Sequence, residues 1–156
     1  MSSSVVIIRL RGRAGGDWRI EQTLGLLRLN RRYSAMVYPY SEEIKGMIRK
    51  VEAYITWGEL DEEGINMLLN RMKTREGKKI DDETLKINLN MNIDDFKQKI
   101  VSGELRINKY SKLFNLPISL HPPREGFYGK VSVHFKNGGE YGYRGSYIKE
   151  LLRRMV

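Results

Sequence analysis

Cysteine is absent from this chain of 156 residues, and histidine occurs only twice. The absence of thiols excludes disulfide bonds, cysteine nucleophiles and cysteine-based zinc sites, and it fits a reducing compartment. The two histidines, His121 and His134, have no carboxylate neighbour at the spacing that metal ligands use. The sequence therefore predicts no metal site, and stability has to come from packing or from a partner.

Long apolar runs are also missing. No stretch reaches the roughly 18 consecutive apolar residues that a membrane-spanning helix needs. The chain runs from Met1 into the apolar residues 5–8 without the basic segment that opens a secretory signal, and Arg9 ends the run. We therefore expect a soluble, cytoplasmic protein with no membrane partner.

Positive charge is in excess, with a formal net charge of +9, which favours polyanions such as nucleic acid. Residues 1–60 carry ten Lys and Arg against six Asp and Glu, residues 61–105 carry eight against ten, and residues 106–156 carry ten against three. A surface that served only solubility would mix both signs along the chain. This distribution favours a binding face to which both ends of the chain contribute.

The first sixty residues alternate between two kinds of pattern. Short β-branched or aromatic runs predict strands at residues 5–10, 35–38 and 53–57. Apolar residues that recur every three or four positions predict a helix that Asp17 caps and that ends at residues 30–32, and a second helix that Ser41 opens and that runs to Val51. The resulting β-α-β-α-β order predicts an α/β (α+β) sandwich of two layers, with the helices over one face of the sheet.

The middle segment is predicted to be helical, with amphipathic stretches at residues 65–72 and 92–101. Its carboxylates cluster at helix starts, where the helix dipole favours them, so we interpret them as caps rather than as metal or catalytic groups. After Leu105 the pattern changes to loops and short strands, followed by a last helix over residues 148–155 that Ser146 is expected to cap. We therefore divide the chain into a core (1–60), a helical extension (61–105) and a basic C-terminal arm (106–156).

The glycine-rich loop at residues 11–19 is the one local feature that favours an enzyme. Glycine amides beside guanidinium groups at a helix start can hold a phosphate. The loop loosely resembles the phosphate loop of acylphosphatases, a family in which an asparagine on a neighbouring strand positions water. The predicted second strand contains no asparagine. The same loop could hold one phosphate of an RNA backbone, or it could be a flexible turn.

The C-terminal arm combines cations with aromatic residues. Cations neutralise phosphates and aromatic faces stack on exposed bases, although the same pattern also describes a half-buried strand. Residues 121–124, His-Pro-Pro-Arg, hold two prolines that favour an extended segment presenting a cation at a fixed place. The residues of the interleaved run are Arg124, Phe127, Tyr128, Lys130, Phe135, Lys136, Tyr141, Tyr143 and Arg144.

Four stretches resemble the family of large-subunit ribosomal protein thirty, in its long archaeal form. They are residues 5–11, residues 24–29, residues 45–51 and the closing segment from residue 120 to residue 155. The resemblance covers essentially the whole chain in order. It implies a ferredoxin-like β-α-β-α-β core, wrapped by the helical middle and by a returning arm that ends in a helix.

The resemblance also implies a function. A member of this family would be a structural constituent of the large (50S) ribosomal subunit, would bind RNA of the 23S type near the 5S RNA region, and would contact neighbouring ribosomal proteins. It would have no catalytic activity, cofactor or small-molecule substrate. From the residues alone, a phosphate-handling enzyme similar to acylphosphatase and a free-standing nucleic-acid chaperone stay open as alternatives.

The RNA contacts implied by this resemblance come from every part of the chain except the extension. The expected contact residues are Arg9, Arg11, Arg13, Arg28, Arg31, Arg32, Lys45, Arg49, His121, Arg124, Lys130 and Arg144.

Overall fold

A computed structural model describes residues 3–12 and 17–156, which form a five-stranded sheet and six α-helices. The strands are β1 (Ser4–Arg9), β2 (Ser34–Pro39), β3 (Ile55–Glu59), β4 (Ile118–Ser119) and β5 (Gly142–Tyr143). The helices are α1 (Trp18–Leu26), α2 (Glu42–Val51), α3 (Glu62–Leu69), α4 (Asp82–Leu89), α5 (Ile93–Ser102) and α6 (Ile148–Met155). No helix in the described ranges combines the length and apolar character needed to cross a membrane.

The predicted β-α-β-α-β order of the first sixty residues is confirmed. Helix α1 is shorter than predicted, because Leu27 already caps its C-terminus and Arg28 has a positive φ of 62°. Strand β3 begins two residues later than predicted, since Glu52–Tyr54 form a 3-10 turn after α2. Both differences lie at element ends, where local hydrogen bonding rather than periodicity decides the boundary.

Strand β1 lies at the centre of the sheet, whose order is β4-β2-β1-β3-β5. It pairs antiparallel with β2, placing Val5 opposite Tyr38, and antiparallel with β3, placing Ile7 opposite Trp57. Strand β4 pairs antiparallel with β2, and β5 pairs parallel with β3. Both edge strands therefore come from the C-terminal arm, which returns to the core at two separate places.

Both faces of the sheet are covered by helices. The Ser4 hydroxyl donates to the carbonyl of Ile100 in α5, whereas the Arg9 guanidinium donates to Glu21 in α1. Because side chains alternate along a strand, the even residues of β1 face α5 and the odd residues face α1. The two-layer core predicted for residues 1–60 is thus present, and the extension and the arm add a third layer on the opposite face.

The acidic residues at helix starts act as caps, as the sequence predicted. Asp61 accepts a hydrogen bond from the Gly64 amide at 2.8 Å, and Asp81 accepts one from the Thr84 amide at 2.8 Å. Burial acts to raise the pKa of Asp61, but hydrogen bonds from the Gly64 amide and from Lys149 together hold this pKa below its usual value. These carboxylates are therefore occupied in starting and anchoring helices.

One helix was missed, and one expected helix cap was wrong. Helix α4 was not predicted, because Leu85 is its only buried residue and leaves almost no apolar periodicity. Ser146 does not cap the last helix: it lies in a 3-10 turn at Gly145–Tyr147, and α6 starts at Ile148 without a side-chain cap. The start of α6 is instead determined by packing, since Ile148 is buried against the sheet beside Gly58.

The arm approaches the core very closely at Gly58. A Cβ atom at this position would lie 2.2 Å from the Gly145 carbonyl oxygen and 3.0 Å from the side chain of Ile148. The amide of Arg144 donates to the Trp57 carbonyl at 2.9 Å, so the arm backbone is bonded to β3 directly beside this glycine. No side chain fits between β3 and the arm.

We predict that Gly58→Ala lowers the free energy of unfolding by about 2 kcal/mol, because the nearest obstacle is a backbone atom that cannot rotate away. The matched control is Gly46→Ala in the middle of α2, where nothing lies within 4 Å of the added methyl. That substitution should raise the free energy of unfolding by roughly 0.5–1 kcal/mol. Urea denaturation measures both changes, and similar effects of the two substitutions would contradict the tight docking of the arm.

Candidate nucleic-acid interface

Most of the predicted RNA contacts lie at the surface. Five of the side chains belong to exposed residues and four to partly buried ones, whereas Arg9 and Arg144 are buried. The exposed residues are Arg31, Arg32, Arg49, Arg124 and Lys130, and the partly buried ones are Arg11, Arg28, Lys45 and His121. Arg13 lies outside the described residues, together with residues 14–16 of the candidate phosphate loop.

Arg9 is fully buried and holds the core together. Its guanidinium donates to Glu21 Oε1 at 2.7 Å and to the carbonyl oxygens of Leu29 and Arg11, both at 2.7 Å. These bonds join the end of β1 to α1 and to the loop that follows α1. A guanidinium that is occupied and shielded in this way has no face left for a phosphate.

Arg144 is also buried, with 6% of its surface exposed, and it holds the arm on β3. It donates to Thr56 Oγ1 at 2.7 Å and to the Glu140 carbonyl at 2.6 Å, and its Cζ lies 4.7 Å from the centroid of the Phe135 ring. Burial lowers the pKa of Arg144, and the neighbouring Glu140 carboxylate acts in the opposite direction. We therefore assign Arg9 and Arg144 structural roles.

His121 fastens the His-Pro-Pro-Arg segment of the arm to the C-terminus. Its ring nitrogens lie 2.6 Å from the Pro122 carbonyl and 2.8 Å from the Val156 carbonyl. Arg124 also donates to the Val156 carbonyl, at 3.2 Å, while remaining exposed. The His-Pro-Pro-Arg segment is thus fixed against the end of α6, and Arg124 is the member that presents charge to solvent.

Four cations from distant parts of the chain line one cleft of about 410 Å³. Arg31 follows α1, and Arg71, Lys73 and Lys79 belong to the extension; we call these four residues the basic cleft. Its walls are joined through Ser119 of β4, whose carbonyl accepts from Arg71 at 2.9 Å and whose hydroxyl lies 3.4 Å from Arg31 Nη2. Strand β4 therefore brings the core and the extension together around the cleft.

The positive charge of the basic cleft is not neutralised within the described part of the chain. No aspartate or glutamate lines the cleft, and none of the ion pairs in this part involves its four cations. Lys73 and Lys79 lie directly opposite each other in an antiparallel bridge. Like charges in opposite positions of such a bridge repel each other. The cleft is therefore suited to an anionic ligand that would relieve this repulsion.

Arg32 and Arg124 continue the basic cleft toward the arm. The Cζ of Arg32 lies 5.0 Å from the centroid of the Tyr33 ring, and Tyr33 contacts Phe127 of the arm with ring centroids 6.3 Å apart. The Leu120 amide donates to the Tyr33 carbonyl, so the His-Pro-Pro-Arg segment begins beside the same loop. The loop between α1 and β2 thus joins the cleft to the arm.

Not every predicted cation is brought to this surface. Lys45 and Arg49 lie on α2, and no hydrogen bond, ion pair or ring contact among the described residues links them to the basic cleft or to the arm. Arg11 lies against Tyr54, with 4.9 Å between Cζ and the ring centroid. These cations belong to other parts of the surface.

Sequence reasoning missed Arg71, Lys73 and Lys79. They lie in the extension, whose net charge is negative, so the net charge of the whole segment gave no sign of a local basic cluster. A local signal was present, because residues 71–79 contain five Lys and Arg against a single Glu. What the sequence did not indicate is that β4 would place this run beside Arg31.

The fold and this surface together define a small α/β protein that presents cations to a polyanion. Residues 5–55 match the family model described as ribosomal protein L30p/L7e. The chain is 47% identical to large ribosomal subunit protein uL30 of Sulfolobus acidocaldarius, over 100% of both chains. It is 47% identical to that of Metallosphaera sedula over 99% of both, and 49% identical to that of Sulfurisphaera tokodaii over 100% of both.

This chain belongs to the uL30 family of large ribosomal subunit proteins. The resemblance found in the sequence is thereby confirmed, and so is the expected α/β fold. The family is a structural one, and these relatives lend no support to an acylphosphatase-like enzyme or to a free-standing chaperone.

The role assigned to Arg9 gives a prediction about the stability of the fold. Arg9→Met should lower the free energy of unfolding by about 3 kcal/mol, because it removes the buried cation beside Glu21 and leaves two carbonyls without a donor. The matched control, Arg32→Met, should change stability by less than about 0.5 kcal/mol, since that side chain is exposed. Thermal unfolding distinguishes the two, and a folded, fully stable Arg9→Met protein would contradict the structural role.

Proposed function

We propose that this protein is a structural constituent of the large ribosomal subunit and binds its RNA, of the 23S type, near the 5S RNA region, in contact with neighbouring ribosomal proteins. It acts in the cytoplasm, on the ribosome. The observation that carries the RNA-binding proposal is the basic cleft, which continues through Arg32 to the arm. Membership of the uL30 family gives the large subunit as its place.

The charges of this surface fit an RNA backbone better than a single small anion. The cations extend from the cleft between the core and the extension to Arg124 beside the end of α6, and a chain of phosphates can meet them in succession. Arg31, Arg32 and Arg124 are exposed, so they can reach phosphates without rearrangement of the fold. Many phosphate contacts of modest strength add up to a tight and salt-dependent complex.

We divide the predicted contact residues according to these positions. Arg9 and Arg144 hold the fold together and are left out of the proposed interface. The proposed RNA contacts are Arg11, Arg13, Arg28, Arg31, Arg32, Lys45, Arg49, His121, Arg124 and Lys130 from the sequence, with Arg71, Lys73 and Lys79 added from the cleft.

We further propose that each of the three segments contributes a different part of the RNA interface. The core (1–60) supplies the loop at Arg31 and Arg32, the extension (61–105) supplies one wall of the basic cleft, and the arm (106–156) supplies the Ser119 link and Arg124. The arm is also part of the fold, because Leu151 and Leu152 of α6 are buried. Point substitutions therefore test its contacts better than a deletion does.

The basic cleft can be tested by replacing Arg71, Lys73 and Lys79 together with alanine. The matched control replaces Lys86, Lys97 and Lys99, three lysines of the extension that do not line the cleft. Binding to large-subunit RNA of Sulfolobus acidocaldarius should weaken by at least about tenfold for the cleft variant, and the slope of log affinity against log salt should fall by about two to three. The control variant should bind the RNA with nearly the wild-type affinity and with nearly the wild-type salt slope.

Equal losses for the two triple variants would show that only total charge matters, and would contradict the assignment of the cleft. The wider proposal is tested by adding the protein to salt-stripped large subunits of the same organism. We expect it to sediment with the subunits through a moderately high-salt wash. A chain that stays in the supernatant would contradict the proposed function itself.

A further inference from the structure

A second pocket, of about 330 Å³, lies on the arm and plays no part in the surface described above. Phe135 and Tyr147 form one wall, with ring centroids 5.8 Å apart, and Tyr128 forms another, with the Arg154 Cζ 4.1 Å from its ring centroid. Glu140, which is buried, also lines the pocket. The pocket thus combines aromatic walls with ionised groups.

Two buried polar atoms of the pocket have no hydrogen-bond partner among the described residues. They are Oε1 of Glu140, a residue with only 4% of its surface exposed, and Nε of Arg154. Glu140 Oε1 lies 3.7 Å from Arg144 Nη2, which is too far for a hydrogen bond. Buried groups of this kind are costly when they have no partner. Both atoms belong to side chains that line the pocket, so a small rotation of each side chain would offer one acceptor and one donor to an incoming group.

The aromatic walls are unusually open. Tyr128 has 70% of its surface exposed and Tyr147 has 62%, although both rings are large enough to contribute substantially to a core. A flat ring that entered the pocket would cover part of this surface and would gain stacking energy. This exposure favours a planar ligand.

The charges around the pocket cancel. Arg144 and Arg154 are balanced by Glu140 and Glu150, all of which line it. A phosphate would meet as much repulsion as attraction, so this pocket differs in kind from the basic cleft. A neutral ring whose edge carries both a donor and an acceptor satisfies both unpartnered atoms without bringing a charge.

We propose that this pocket receives one unpaired base of the ribosomal RNA, stacked on Tyr147 with its edge bonded to Glu140. This inference rests on the proposed function, because it assumes that the arm is bound to RNA. Nearby positive charge favours a base over a protein side chain. Lys130 and Lys136 are exposed on the same stretch of chain, so they can meet the phosphates on either side of the inserted nucleotide. RNA is commonly recognised through unstacked bases held in this manner.

Replacing Tyr147 with alanine tests the proposal, and its exposure makes loss of folding a negligible concern. Binding to large-subunit RNA of Sulfolobus acidocaldarius should weaken by about tenfold, as expected for loss of a stacked base, while the salt slope stays unchanged because no phosphate contact is removed. Tyr147→Phe keeps the ring and should bind as the wild type does. Tyr40→Ala, at an exposed tyrosine outside the pocket, serves as the matched control and should change neither quantity.

Photo-cross-linking of the wild-type complex provides a direct readout. Ultraviolet light should join one nucleotide to Tyr128, Phe135 or Tyr147, and the same nucleotide should become reactive toward base-specific reagents when Tyr147 is alanine. Unchanged affinity of Tyr147→Ala, a lowered salt slope, or a cross-link from these rings only to a neighbouring protein would overturn the proposal. Failure of the wild-type protein to bind RNA at all would instead contradict the proposed function.

Discussion

The central strand β1 has to be buried on both faces, and the rest of the structure depends on that constraint. Every residue from Ser4 to Arg9 is buried. The helices of residues 1–60 cover one face only, so the other face would expose a broad apolar surface if the chain ended there. Such surfaces are unfavourable in water. The extension and the arm meet the constraint by placing α5 and α6 on the second face and by adding an edge strand on each side.

This covering also creates the surface on which function depends. When β4 pairs with β2, Ser119 comes to lie between Arg31 of the core and Arg71 of the extension. The backbone pairing that completes the sheet therefore also brings together the cations of the basic cleft. Two arginines serve the fold itself: Arg9 bonds carbonyl oxygens within the core, and Arg144 holds the arm on β3. The remaining exposed cations are the ones available to RNA.

The strands and most helices could be predicted from the sequence because their signals are local. Ile44, Ile48 and Val51 mark one face of α2, and Ser41 marks its start. Helix α4 lacked such a signal because it buries only Leu85. The site was harder to predict, since the sequence does not reveal whether an arginine will be buried. Arg9 and Arg32 look equivalent in the sequence, and only the fold places Glu21 and the Leu29 carbonyl around Arg9. The cleft depends on contacts between residues 88 positions apart, such as Arg31 and Ser119, and no local pattern contains them.

If the extension and the arm are required to cover the sheet, the three segments should unfold together. Native-state hydrogen exchange measures this most directly, by comparing the free energy of opening for amides in β1, α5 and α6. We predict that the most protected amides in all three exchange with the same free energy, equal to that of global unfolding. Amides of α5 and α6 that exchange through a much lower-energy opening, while β1 keeps full protection, would show that the core of residues 1–60 stands by itself and would contradict this account.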